Sequence, residues 1–226
     1  MTYDNILSAT FLSRPNRFIA HVEVNGKLKI AHVKNTGRCK ELLIPGTKVI
    51  LQKFDDPKRK TAYDLINVYK GERLINMDSQ APNKVFLEYL KSGQYIGGIT
   101  HIKSEAKYGS SRFDFYVDTG NRKIFIEVKG VTLEENGVSM FPDAPTERGI
   151  KHLKELSHCL SDGYEANVVF VVQMSGTRYF TPNNKTHPAF GETLVVAEKA
   201  GVKVSAFDCV VTENSLAISK SVMVKL

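Results

Sequence analysis

Ser111-Arg112-Phe113-Asp114-Phe115-Tyr116-Val117-Asp118, then Thr119-Gly120-Asn121-Arg122, then Lys123-Ile124-Phe125-Ile126-Glu127-Val128-Lys129 is the stretch that decides the fold. Two apolar-rich runs flank Gly-Asn, a pair suited to a two-residue hairpin turn. With Gly120 and Asn121 as the loop, Phe113, Phe115 and Val117 oppose Val128, Ile126 and Ile124, so one face is apolar and must be buried. The other face sets Asp118 against Lys123, Arg112 against Lys129, and Asp114 against Glu127. The last pair places two carboxylates about 5 Å apart at Cβ, where like charges destabilise a sheet. A divalent cation between them turns repulsion into ligation, because hard cations take carboxylate oxygens. Lys129 lies on the same face, where an ammonium can steady developing negative charge or orient a water. The bland alternative is a solvated polar sheet face with chance charge neighbours.

Upstream, Asn83 to Ser92 carries apolar residues at helical spacing, with Glu88 beside the apolar side. His101–Tyr108 reads as a strand and carries Glu105. Either acid could complete the pair, Glu88 as a further metal ligand. Downstream, Thr146 is a good N-cap for a helix with an apolar stripe at Ile150, Leu153, Leu156 and Leu160. Arg148 and His152 are four apart there and share a face that could line the same cleft as Asp114. Asp143 and Glu147 flank that helix start. Asn167–Gln173 is a β-branched run expected of a strand buried on both faces. A helix near 190–200 leads to a strand at 202–211 and a short tail. The order is α-β-β-β-α-β, then α-β.

Residues 1–80 read differently. Alternating apolar runs, Asn25-Gly26 at a hairpin tip and further turn formers give about five strands with one helix-sized interruption. This predicts a small Greek-key barrel of the OB type, with an SH3-like barrel as competitor. Leu28, Ile30 and His32 are the alternating set of the run 27–33. Gln80-Ala81-Pro82 marks the boundary between domains 1–80 and 81–226. The charge is divided the same way: net +7 overall, with 14 Lys and Arg against 8 Asp and Glu in residues 1–80 and 17 against 16 beyond. Such a basic excess is the footprint of a polyanion binder. Candidate contacts are Arg14, Arg17, the loop Asn35-Thr36-Gly37-Arg38 with Lys40, and Arg112, Arg148 and His152 of the second domain. Phe11, Phe18 and Tyr63 interleave the barrel's cations, the pattern by which OB grooves hold single strands, although most of them suit a core.

The sequence also excludes. Cys39, Cys159 and Cys209 are too scattered for a disulfide framework or a zinc site, and read as core thiols of a reducing compartment. The six histidines lack metal spacing. No apolar run approaches the roughly 18 residues of a membrane span, and residues 1–10 do not read as a signal peptide. A cytoplasmic location is expected. Nothing in the sequence announces an oligomeric state.

Asp114 and Glu127-Val128-Lys129, in this element order and with a helix acid before them, resemble the PD-(D/E)xK nuclease core. Longer stretches are more specific. Ser104–Gly109, Ser111–Phe115, Ile126–Leu133 and Phe141–Gly149, with Asn35–Arg38 and Pro45-Gly46, resemble the sugar fermentation stimulation protein A (SfsA) family across the whole chain. Ala106 and Gly130 depart from the expected valine and serine, and touch neither the acids nor the lysine. The resemblance implies an OB-like domain, a nuclease-like domain, DNA binding and a tie to regulation of sugar utilisation. It leaves two functions open. One is a DNA-binding regulator with the nuclease core as platform. The other is a phosphodiesterase using Mg²⁺ or Mn²⁺, with Asp114 and Glu127 as ligands, Lys129 at the reacting charge, and Glu88 or Glu105 as a further group. A binder of small phosphate compounds stands third.

Overall fold

A computed structural model describes residues 1–35 and 37–226. Thr36, one of the loop residues singled out above, lies outside the described residues. The fold is mixed α/β.

The first half is a closed barrel of β1 (Ile6–Asn16), β2 (Ile19–Val24), β3 (Lys27–Val33), β4 (Lys48–Lys53) and β5 (Tyr63–Lys70), with β6 (Arg73–Asn76) added beside β5. Closure comes from a parallel pairing of β3 with β5. The barrel is of the OB type, and the SH3-like alternative falls away. The β2–β3 hairpin turns on Asn25 and Gly26, both at positive φ, as the Asn-Gly signal requires. β1 escaped the sequence reading because its alternation is broken twice, at the register shifts between Phe11 and Ser13 and between Ser13 and Asn16. The apolar set of β3 also needs correcting. Ala31 and Val33 are buried, whereas Leu28 is 64% and Ile30 50% exposed. Apolar residues fall on both parities of this strand, and pairing of Ala20 with Ala31 sends the smaller set inward.

The second half is a six-stranded sheet. β7 (His101–Tyr108), β8 (Ser111–Asp118) and β9 (Lys123–Val131) form an antiparallel meander, and β9 then pairs in parallel with β12 (Glu165–Val172). β14 (Lys203–Val211) continues the parallel set, and β15 (Leu216–Val222), read from sequence as a tail, closes the edge. Helix α1 (Ala81–Lys91) packs Val85, Phe86 and Leu90 on one face. Helices α2 (Glu147–Ser161) and α3 (Pro188–Ala200) cover the other with Leu153, Leu156, Phe190 and Leu194. Thr146 caps α2 by accepting the amide of Gly149. Covered on both sides, β12 buries alternate residues in each core, as its β-branched run requires. A small sheet of β10 (Leu133–Glu135), β11 (Val138–Phe141) and β13 (Tyr179–Pro182) had no sequence signal that was read.

Buried polar groups fasten the halves together. Glu134 of β10 forms ion pairs with Lys70 and Arg73 of the barrel half. The side chain of Gln173 donates to Asn76 and to the carbonyl of Asp78. Asn67 donates to carbonyls of Thr212 and Glu213. The N-terminal residues cross over as well, with Thr2 bridged to Ser215.

Candidate functional site

The hairpin register is the expected one over four pairs, from Asp118–Lys123 to Phe115–Ile126. The ladder stops there, one pair before the acids. Asp114 therefore does not simply oppose Glu127. Its Oδ2 accepts the Val128 amide at 2.7 Å, replacing a strand partner, and its Oδ1 accepts Asn83 Nδ2 at 2.7 Å. The alternation of β8 breaks at the same point. Phe113 packs on Phe125 and His152 on the α2 side, while Phe115 packs on Phe86 of α1. The wholly apolar single face predicted for the hairpin is thus divided between two cores.

Glu127 is 4% exposed. Its Oε1 accepts from Lys129 Nζ and bonds His152 Nδ1. Its Oε2 is buried with no protein partner among the described residues. Burial raises the Glu127 pKa, but the His152 bond and the Lys129 ammonium outweigh it and hold the group below its ordinary range. Asp114 moves the other way, to about 6. Burial is the main cause and the charge of Glu127 the second, against the bonds from Val128 and Asn83. Two acids with opposed shifts in one place, one with a bare oxygen, is the electrostatic pattern of a site rather than of a stabilising contact.

Of the expected site residues, the structure brings together Asp114, Glu127, Lys129, His152 and Arg148. Arg148 is exposed and directs Nε at His152 Nε2, 3.4 Å away. Glu88 is not brought in. It is exposed and paired with the N-terminal ammonium of Met1 at 2.8 Å, so the helix acid expected to join the pair is corrected to Asn83, one residue past the helix's Pro82. An uncharged amide gives no carboxylate signature in sequence. Glu105 falls between the β7–β8 pairs Ser104–Phe115 and Ala106–Phe113, in a left-handed conformation (φ 53), and its exposed carboxylate turns to Arg112 at 3.8 Å. Arg112 is likewise exposed and outside the acid cluster. Among the described residues no group of three or more His, Cys, Asp or Glu converges on one point, so a cation here would rest on two carboxylates, the protein backbone and water.

On the barrel, Arg14, Arg17, Arg38 and Lys40 line one open groove of about 330 Å³. Arg14 is not free in it. Its guanidinium donates to the carbonyls of Arg17, Asn35, Gly37 and Arg38 at 2.7–2.8 Å, so it builds the loop instead of waiting for a phosphate. Arg17, Arg38 and Lys40 are exposed, and Arg17 stacks on the half-exposed ring of Phe18 at 4.8 Å. Phe11, by contrast, is core. Asn35 accepts the Gly37 amide and lines, with Asp143 and Gly130, a cavity between the two halves.

Comparison with known proteins agrees with this architecture. A family model described as "SfsA N-terminal OB domain" matches residues 12–77, and one described as "Sugar fermentation stimulation protein RE domain" matches residues 80–215. Sugar fermentation stimulation protein homologs from Desulfitobacterium hafniense (strain DSM 10664 / DCB-2) and Ruminiclostridium cellulolyticum are 63% and 59% identical over all of this chain, covering 99% and 100% of those proteins. The solved structure of Pyrococcus furiosus SfsA in complex with Ca²⁺ is 28% identical, with a TM-score of 0.91 over 100% of this chain and 98% of that one. The chain belongs to the sugar fermentation stimulation protein family.

Proposed function

We propose that this protein binds DNA through the basic groove of its barrel and holds a divalent cation, Mg²⁺ or Mn²⁺, at Asp114 and Glu127 of its second domain. In this reading it is a cytoplasmic regulator of sugar metabolism with a nuclease-type site. One observation carries it. The loop whose Arg38 lines the groove also borders, through Asn35, the cavity that begins at Gly130, beside Lys129. A backbone held by Arg17, Arg38 and Lys40 would thus run toward the acid pair.

The residues fit a hard cation. Glu127 offers a buried, unpartnered Oε2, and the neighbouring Asp114 carries a carboxyl that gains from a positive charge. The relative described with Ca²⁺ supports the same chemistry here. When bound, the cation would neutralise a phosphate and polarise a water. Lys129 and His152 fix Glu127, Asn83 and the Val128 amide fix Asp114, and Arg148 stands exposed for a phosphate oxygen.

A second reading, metal-dependent phosphodiester hydrolysis, is favoured by the Lys129 ammonium, already held at the Glu127 carboxylate. Incubating single- and double-stranded DNA and RNA with Mg²⁺ or Mn²⁺ separates the two. Cleavage by the wild type that is lost in Asp114→Ala supports hydrolysis. Binding without cleavage in both supports the regulator. Absence of any nucleic-acid binding at about 100 mM salt, where electrostatic binding should persist, contradicts both.

A further inference from the structure

We propose that the cavity between the two domains receives one unstacked pyrimidine base of a bound single strand, an inference that rests on the DNA-binding reading above. The cavity measures about 110 Å³ and is half open to solvent. That is several times the space of a water, about 30 Å³ in the liquid, and of the order of the roughly 150 Å³ cavity that accepts benzene. A half-open cavity of this size suits a single six-membered ring better than a fused pair.

Its lining selects against a phosphate. Among the described residues no lysine or arginine faces it, while Asp143 contributes a carboxylate. The Nε2 of Gln173 is already spent on Asn76 and Asp78, and its Oε1 lies close to Gly130, within 2.6 Å of where a Cβ there would stand. The lining therefore offers acceptors at Asp143 and Gln173 Oε1 and a donor at Asn35 Nδ2, whose own Oδ1 is spent on the Gly37 amide, and its match is a ligand with both N–H and carbonyl groups along one edge. Nucleobases have such an edge and phosphates do not. Met140 and Phe141 supply apolar wall for the ring. The cations stand outside the cavity, in the barrel groove and at Lys129, where the sugar–phosphate chain on either side of an inserted base would pass. Extruding a base into a polar-edged, apolar-walled pocket is cheapest from a strand that is already single.

The test is an abasic scan. Oligothymidylate cut to the shortest length that binds with full affinity, so that it cannot shift register, is bound to the wild-type protein, and variants with one base removed at each successive position are compared by fluorescence anisotropy. One position should cost roughly tenfold in affinity and the others much less, the scale set by contacts to one base. Ser79, exposed at the rim, is then changed to phenylalanine to plug the mouth. Ser79→Phe should bind intact and abasic strands alike. A flat scan with tight binding overturns the base pocket and leaves DNA binding standing. A position effect that survives Ser79→Phe also overturns it, since the base then sits elsewhere. If oligothymidylate does not bind at all, the pocket falls together with the DNA-binding reading. The wild-type scan decides the matter even if the plugged variant fails to fold.

Discussion

The barrel groove and the acid pair handle charge in opposite ways. In the groove, Arg17, Arg38 and Lys40 are exposed along one open surface. At the acid pair, Glu127 is buried and Asp114 half-buried, and every carboxylate oxygen but Glu127 Oε2 has a protein partner. Exposed, dispersed cations give affinity that is cheap to hold, tolerant of sequence and sensitive to salt. Buried like charges cost stability and are retained where a ligand repays them. In the proposed reading the first region collects a polyanion and the second acts at one point on it.

The largest effect is expected where burial is deepest. Glu127→Ala leaves Lys129 and His152 without their acceptor and removes the bare oxygen. It should lower stability by about 3–5 kcal/mol, the usual cost of orphaning a buried partner. It should also abolish Mn²⁺ binding in calorimetry. Asp114→Asn sharpens the contrast, because it removes the repulsion while an amide can still accept from Val128. Its melting temperature should match or exceed that of wild type although Mn²⁺ binding is lost. A large fall in melting temperature would mean that Asp114 is a structural residue.

Next in size is an acid effect at the junction of the two halves of the molecule. Glu134 is nearly buried and held by Lys70, the Gly137 amide and Arg73, which outweigh its burial and lower its pKa from 4.5 to about 2. A depressed carboxylate contributes stability above its unfolded pKa and loses it as pH falls through the folded one. Between pH 4.5 and about 2, roughly 3 kcal/mol of stability should therefore drain away. Denaturant melts across that range measure it, and Glu134→Gln should flatten the curve.

How much of this could be read beforehand differs between the same two regions. The hairpin register, the Thr146 cap and the doubly buried β12 were legible because each rests on local chemistry: a Gly-Asn turn, a hydroxyl before a helix, an unbroken β-branched run. The end of the β8–β9 ladder was not legible. It coincides with the Asp114 side chain taking the Val128 amide in place of a backbone partner, which no local rule announces. Asn83 was hidden because a neutral amide carries no charge signal in sequence. The role of Arg14 was hidden because a guanidinium that will bind four carbonyls looks in sequence like one that will bind a phosphate. Leu28 and Ile30 misled because β3 has apolar residues on both parities, and only its pairing chooses between them.

Smaller effects are expected in the groove. Lys40→Ala or Arg38→Ala should each weaken DNA binding roughly tenfold, about 1.4 kcal/mol. Each should also reduce the slope of log affinity against log salt by about one, across all sequences alike. Arg14→Ala should do more than either, because the loop that it holds would loosen. Smallest of all, Leu28→Ser should change stability by no more than about 0.5 kcal/mol, since its side chain is mostly in water.

The most direct measurement is the anomalous difference map of a crystal soaked in Mn²⁺. It should show one strong peak bonded to the bare Oε2 of Glu127 and to Asp114, and no such peak in Asp114→Ala. A wild-type map with the peak elsewhere, or with none at saturating metal, would contradict the cation site and leave the buried acids without a function.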